Sequence, residues 1–160
     1  MTGVPANDAP YRMIDGVTFG DDVIVQSFVN LYGCRIGAGS RVGPFVEIQR
    51  GAEIGRRCKI QSHTFVCEGV EIGDDVFIGH NVVFINDKYP KTSGQWTLQP
   101  TTVEDGAAVG SGAVLLGGVR IGANALVGAG AVVTADVSAG ATVVGVPARA
   151  RAGQGAGRCA

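Results

Sequence analysis

Residues 36–84 read IGAGSRVGPFVEIQRGAEIGRRCKIQSHTFVCEGVEIGDDVFIGHNVVF. An aliphatic side chain recurs there at every sixth position: Ile36, Val42, Ile48, Ile54, Ile60, Val66, Ile72 and Ile78, with Phe84 closing the run. The beat returns at Val103, Val109, Leu115, Ile121, Val127, Val133 and, weakly, Ala139. Four residues after each stands a second, mostly small side chain, among them Ser40, Ala52, Cys58, Thr64, Ala107, Ala113, Ala125 and Ala131. A period of six fits neither the 3.6 of an amphipathic helix nor the 2 of an ordinary half-buried strand. Each hexad is instead a short strand plus a corner, and such hexads stack into a parallel β-helix.

The large and the small residue point inward and fill a narrow prism, and the residue between them turns the corner. That slot reads Gly39, Gly51, Gly69, Asp75, Asn81, Asp87, Gly106, Gly112, Gly118, Asn124, Gly130 and Asp136. These residue types tolerate a positive φ. Three columns therefore agree on one all-β architecture.

Working outward, residues 1–17 carry turn formers (Pro5, Asn7, Asp8, Pro10) and form an N-terminal lead-in. The register extends backwards from the quoted stretch through Asn30 and Ile24 to Thr18, so the β-helix is expected over 18–144. Residues 85–102 interrupt it. The spacing from Phe84 to Val103 exceeds three hexads by a single position, so this stretch is an extruded loop and not a silent coil. It holds Pro90, Gly94, Pro100 and the only Trp, Trp96, and long loops on rigid scaffolds carry function. Residues 145–160 are a Gly-, Ala- and Arg-rich tail.

Twenty-six glycines are accounted for by the corners, and 160 residues make one domain. A formal charge of −1 gives no reason to invoke nucleic acid or an anionic membrane surface. No leader and no long apolar run is visible, so a cytoplasmic protein is expected. The four cysteines do not read as a disulfide set, since Cys34 and Cys58 fall in inward slots and Cys159 in the tail.

Three hexads make one coil, so positions one coil apart stack at roughly 4.8 Å. One corner then stacks Pro44, Ser62, His80 and Ser111, with Phe45, His63 and Asn81 beside them. A second stacks Arg50, Glu68 and Asn86, and the loop leaves from there.

The hexads, the extruded loop, the Gly/Ala-rich later coils and the closing VGVPARA resemble the left-handed β-helix acyltransferases. Within that superfamily, the stretch from Gly43 to Lys91 is similar to the N-acetyltransferases of bacterial surface-sugar synthesis, in particular those acting on UDP-2-acetamido-3-amino-2,3-dideoxy-glucuronate for lipopolysaccharide O-antigens. The resemblance implies a left-handed coil, a homotrimer and acetyl-CoA in the groove between neighbouring prisms. It implies that Asn86 holds the sugar or the reacting carbonyl, and that Glu47, His63, Glu68 and His80 contact the nucleotide-sugar substrate. Amides around Ser111, Gly112 and Ala129 would follow pantetheine, and Pro147, Arg149 and Arg151 would lie near the adenine and phosphates.

Tyr89 precedes the loop proline where the galactoside and maltose O-acetyltransferases have a catalytic His. A hydroxyl nucleophile needs a base, whereas a neutral amine already presents its lone pair. An amine acceptor is therefore expected. Three rivals stand beside that reading. An O-acetyltransferase is one, and a non-catalytic scaffold is another. The third is a β-helix carbonic anhydrase, whose zinc needs three His where this chain has two, so no metal is expected.

Overall fold

The computed structural model describes residues 11–151. Strands of two or three residues, joined by corners, stack into three sheets of seven, six and eight strands. Sheet A runs from Met13–Asp15 to Val132–Val133, and sheet B from Thr18–Phe19 to Arg120–Ile121. Sheet C runs from Ile24–Val25 to Arg149–Ala150. Each turn of chain visits A, B and C once, with parallel pairing until the last strand returns antiparallel on Thr142–Val144. This is the left-handed parallel β-helix. No helix among the described residues is long and apolar enough to cross a membrane.

Within a strand one residue points out and the next in: Lys59 is exposed and Ile60 buried, Arg41 exposed and Val42 buried. The core is one continuous column through Leu31, Ile36, Ile48, Ile60, Ile78, Phe84, Leu115 and Ile121. Two buried hydroxyls in the small slot are satisfied by neighbouring coils. Ser40 Oγ donates to Gly55 O (2.8 Å) and accepts the Cys58 amide (2.9 Å), and Thr64 Oγ1 donates to Gly79 O (2.9 Å). Cys34, Cys58 and Cys67 are buried free thiols. Burial pushes Cys34 and Cys67 up to about 11, so they stay protonated and act as small apolar fillers. Cys159 lies outside the described residues.

The first coil departs from the expected register. Val25 and Leu31 face the core, while Ile24 is 48% exposed and Asn30 only half-buried. The cause is one missing corner residue. Asn30 pairs with Glu47, one position short of three hexads, whereas Arg35 pairs with Glu53 at the full three. Leu31 to Ile36 is therefore a hexad of five, which shifts the register by one back to Phe19 and turns Ile24 outward; a second hexad of five, Ile14 to Phe19, shifts the first strand once more. Strand pairing also reaches further back than Thr18, to Met13 opposite Asn30. At the far end Val137 replaces Ala139 as the inward residue, bridging to Ile121.

The corner slots hold a second surprise. The expected glycines, Asp75, Asn81 and Asn124 take a positive φ, but Asp87 and Asp136 do not. Asp87 instead starts the loop, and Asp136 sits in a shortened corner where its Oδ1 accepts the Arg120 amide. Conversely, Phe28, Phe45, Arg57 and His63 adopt φ between 56° and 62°. For bulky residues this conformation is disfavoured.

The loop leaves between sheets A and B. Phe84 pairs with Leu115, far beyond the three hexads that separate neighbours in an uninterrupted coil. On its return the Leu98 side chain covers Gly69, and the Gln99 amide donates to Asn86 O (3.3 Å).

Candidate active site

Sheet A is flanked by two polar corners at the level where the loop leaves. The first, between sheets C and A, is built by hexads whose small slots (Thr64, Val82, Ala113) lock the turn inward and leave the two preceding residues outside. Ser62 Oγ and His80 Nδ1 are 2.7 Å apart, and Ser111 Oγ accepts the His80 amide (3.1 Å). His80 Nε2 has no hydrogen-bond partner among the described residues. Next to this column the His63 ring stacks on Phe45, centroids 4.8 Å apart.

The second corner, between sheets A and B, is tied together by amide side chains. Asn86 Nδ2 donates to Glu68 O (3.1 Å), the Glu68 amide reaches Gln49 Oε1 (3.4 Å), and Gln49 Nε2 donates to Glu47 Oε1 (3.0 Å). One Asn86 N–H is thus spent on holding the side chain, and the other remains available. Gln49 is a member that sequence reasoning missed. Its only signal is its place one residue past inward Ile48, in the column ending at the loop.

The structure does not merge these two groups into one cluster. His80 and Asn86 stand at opposite edges of sheet A, one hexad of chain apart, a span of at most about 20 Å. The face between them is apolar, with half-buried Phe65, Val83 and Ile85 at its centre.

Above this level the C-to-A corner loses its side chains. A Cβ at Gly79 or Gly110 would lie 2.5 Å from the amide nitrogen of Ser111 or Ala129, so close stacking of coils demands glycine at both. The Gly112 amide is used by His80 O (2.7 Å). The Ser111 and Ala129 amides donate to nothing among the described residues. Two unspent donors therefore line a smooth track. Pro147 and Arg149 lie past the last parallel strand. Arg149 is exposed, and its Nη1 donates to Ala148 O (2.8 Å). Among the described residues no group of three His, Cys, Asp or Glu side chains could hold a metal.

The bacterial transferase hexapeptide (six repeats) pattern matches residues 33–68, 51–86 and 100–135. The chain belongs to the bacterial hexapeptide transferase family. Among its relatives is the bifunctional protein GlmU of Jannaschia sp., 32% identical over 81% of this chain and 32% of that protein. Another is the serine acetyltransferase of Bacillus licheniformis, 40% identical over 65% of this chain and 47% of that one. The chain thus spans a third to a half of the length of these curated relatives. Among solved structures, a hexapeptide-repeat acetyltransferase of Vibrio cholerae, complexed with acetyl-CoA, superposes with a TM-score of 0.66. It is 28% identical, over 74% of this chain and 69% of that one. The N-acyltransferase AntD of Bacillus cereus, solved with dTDP and coenzyme A, shares the fold at a TM-score of 0.76 and 20% identity, over 84% of this chain and 82% of that one.

Proposed function

We propose that this hexapeptide transferase is an acetyl-CoA-dependent N-acetyltransferase. Its acceptor is the amine of a nucleotide-linked, UDP-borne 3-amino sugar destined for bacterial surface polysaccharide. The observation that carries the reading is the composition of sheet A's two edges. A fixed Asn86 amide stands at one, unspent main-chain amides at the other, and no imidazole lies in the extruded loop. Donors for an oxyanion are present where a loop-borne base is not. The related acetyltransferase of Vibrio cholerae binds acetyl-CoA, which supports the same donor here.

In this mechanism the amine lone pair attacks the thioester carbon and the C–N bond forms. The carbonyl oxygen takes the negative charge, which the Asn86 amide stabilises. Collapse breaks the C–S bond, and the departing thiolate accepts the proton lost by the new ammonium. Pantetheine follows the Ser111 and Ala129 amides toward Pro147 and Arg149. The sugar lies across the outer face of sheet A, near Glu47, Glu68 and His80.

A shared site in a homotrimer is supported by the unlike faces of the prism. Sheet B turns Arg35, Glu53, Glu71 and Arg120 outward, whereas the later coils of sheets A and C present Val83, Val114 and Val132, and Phe77, Ala108 and Leu126. Head-to-tail closure buries the apolar pair of faces and leaves the charged one in water.

A second reading, transfer to a hydroxyl, is favoured by one observation. His80 is held through Nδ1 by Ser62 while Nε2 is unengaged, the posture of a general base. Kinetics separate the two readings. We expect acetyl-CoA to bind in calorimetry, and a UDP-3-amino sugar to be acetylated far faster than its 3-hydroxy counterpart. Without an enzymic base, kcat/KM should rise with pH along one limb set by the substrate amine and unmoved in His80→Ala. A limb near the His reference of about 6.5 that disappears in His80→Ala, or equal use of the hydroxy sugar, would overturn the amine reading.

A further inference from the structure

Tyr11, Phe28, Phe45 and His63 occupy one corner column in successive coils, all at positive φ. Their rings stack into a ladder, with centroids 5.2, 4.9 and 4.8 Å apart and planes within 18° of parallel. The first three remain half-exposed or more: Tyr11 71%, Phe28 49%, Phe45 50%. Folding gains little from large rings placed outside the core in a disfavoured conformation, and the later coils fill the same slot with Asn81, Gly112 and Gly130. The ladder therefore ends abruptly at His63, where the next residue in the column is Asn81 and not a ring.

A second feature stops at the same coil. The strands that lead into the Phe45 and His63 corners carry Arg41 and Lys59, which pair in register and are both exposed. Neither has an ion-pair partner among the described residues. Like charges stacked directly opposite each other repel, and the parallel neighbours that flank this pair are uncharged: Ile24 below, Phe77 and Ala108 above. On this sheet only the coils of Arg41–Phe45 and Lys59–His63 combine a cation with a ring at the next corner. They lie just below the level of His80 and Asn86.

We infer that this part of the groove holds the nucleoside diphosphate handle of the acceptor, with the base stacked on the His63 end of the ladder and the diphosphate on Arg41 and Lys59. The inference rests on the acceptor class proposed above and adds the place and chemistry of its recognition. It also fits the layout that two nucleotide-bearing substrates require. Their reacting ends must meet at one level, so their handles must run in opposite directions. The side-chain-free track above that level suits pantetheine, and the ring-and-cation coils below it suit a base and its phosphates. A planar base laid on an aromatic face gains stacking energy whatever its identity, and paired cations relieve their own repulsion by binding an anion.

The test is calorimetric titration of the full chain with UDP, dTDP, GDP and coenzyme A, on wild type, His63→Asn and Arg41→Gln/Lys59→Gln. Asn is a conservative choice at 63, because Asn81 already adopts φ 55° in the next coil of this column. At least one nucleoside diphosphate should bind wild type. His63→Asn should weaken it about fivefold, on the scale of one aromatic contact. The double charge variant should weaken it about tenfold or more and flatten its salt dependence. Coenzyme A affinity and sedimentation should stay as in wild type. Nucleoside diphosphate affinity within twofold of wild type in both variants overturns the inference. So does a loss of assembly with nucleotide binding intact, which makes the ladder a seam between copies of this chain. Failure of wild type to bind coenzyme A strikes the proposed function itself, a separate result from failure of the ladder alone.

Discussion

At the corner between sheets B and C, three main-chain amides are capped by carboxylates of the neighbouring coil. The Arg56 amide donates to Asp74 Oδ1 (2.7 Å), the Asp74 amide to Asp105 Oδ1 (2.8 Å) and the Ala123 amide to Glu104 Oε2 (2.8 Å). The side chains close on each other as well, with Arg57 bidentate on Asp75 at 2.7 Å and Arg120 on Glu104. The corner between sheets C and A has the same backbone path, yet among the described residues the Ser111 and Ala129 amides are uncapped and Arg41 and Lys59 are unpaired. Buried or crowded polar groups are ordinarily satisfied within a fold. The Ala38, Asp105 and Ala139 amides of the B-to-C corner donate to nothing among the described residues either, so the contrast lies in the carboxylates, which that corner has and the C-to-A corner lacks. On the function proposed above, the donors and cations left unspent beside sheet A serve a ligand.

This contrast separates two kinds of substitution. Changes beside sheet A should cost turnover and spare stability, while changes at the B-to-C corner should do the reverse. The largest effect is expected at Asn86. Asn86→Ala removes the proposed donor to the reacting carbonyl, and kcat should fall roughly ten- to a thousandfold with little change in KM, the usual range for an oxyanion donor. Loss of the Nδ2 bond to Glu68 O is confined to a partly exposed site, so the melting temperature should hardly move. A variant that unfolds while retaining turnover per folded molecule makes Asn86 a turn residue and nothing more.

A smaller effect should follow from bringing a carboxylate to the C-to-A corner by design. Ser111→Asp places one where Asp105 sits at the other corner, able to take over from Ser111 Oγ as the cap of the His80 amide, as Asp105 caps Asp74. Melting temperature should be unchanged or slightly raised. The new charge beside the Ser111 and Ala129 amides should raise KM for acetyl-CoA about tenfold, with kcat nearly constant. Unchanged acetyl-CoA KM would move pantetheine off this track.

The columns that build both corners were legible in sequence because a coil of three hexads converts spacing directly into neighbours. Ser62 under His80 and Glu68 under Asn86 followed from counting alone. The first coil was misread because a single deletion at the Gly33–Arg35 corner leaves no mark on Ile24 or Asn30, both acceptable hexad residues. The aromatic ladder was legible in part, since counting put Phe45 beneath His63. Tyr11 and Phe28 escaped because each stands one position off the count of three hexads, and because local preference disfavours such rings at a left-handed corner. The Gln49 relay depends on side-chain rotamers, on which a period of six is silent.

The smallest expected effect lies at the closed corner, and its pH dependence identifies its source. Arg57's guanidinium holds Asp75 below the usual carboxylate range. Asp74 is lowered chiefly by the Arg56 amide, with Arg57 the least of its causes. Arg57→Ala should therefore release Asp75 and leave Asp74 nearly as it was. The Arg57 and Asp75 side chains are exposed to solvent, which screens the attraction, so the melting temperature should drop by only ~1–2 °C at neutral pH. A carboxylate whose pKa is lowered by folding stabilises the fold above its unfolded value and ceases to do so as pH falls through the folded one. The gap between wild type and Arg57→Ala should thus be full above pH ~4, the ordinary Asp value, and close below it as Asp75 protonates. Acetyl transfer at neutral pH should be unaffected. Thermal melts of both proteins from neutral pH down to well below the ordinary Asp value, set beside their kcat, are the measurement. A stability gap that persists in acid would come from packing of the Arg57 stem and not from the ion pair. A fall in kcat would mean that the two corners are not separate devices.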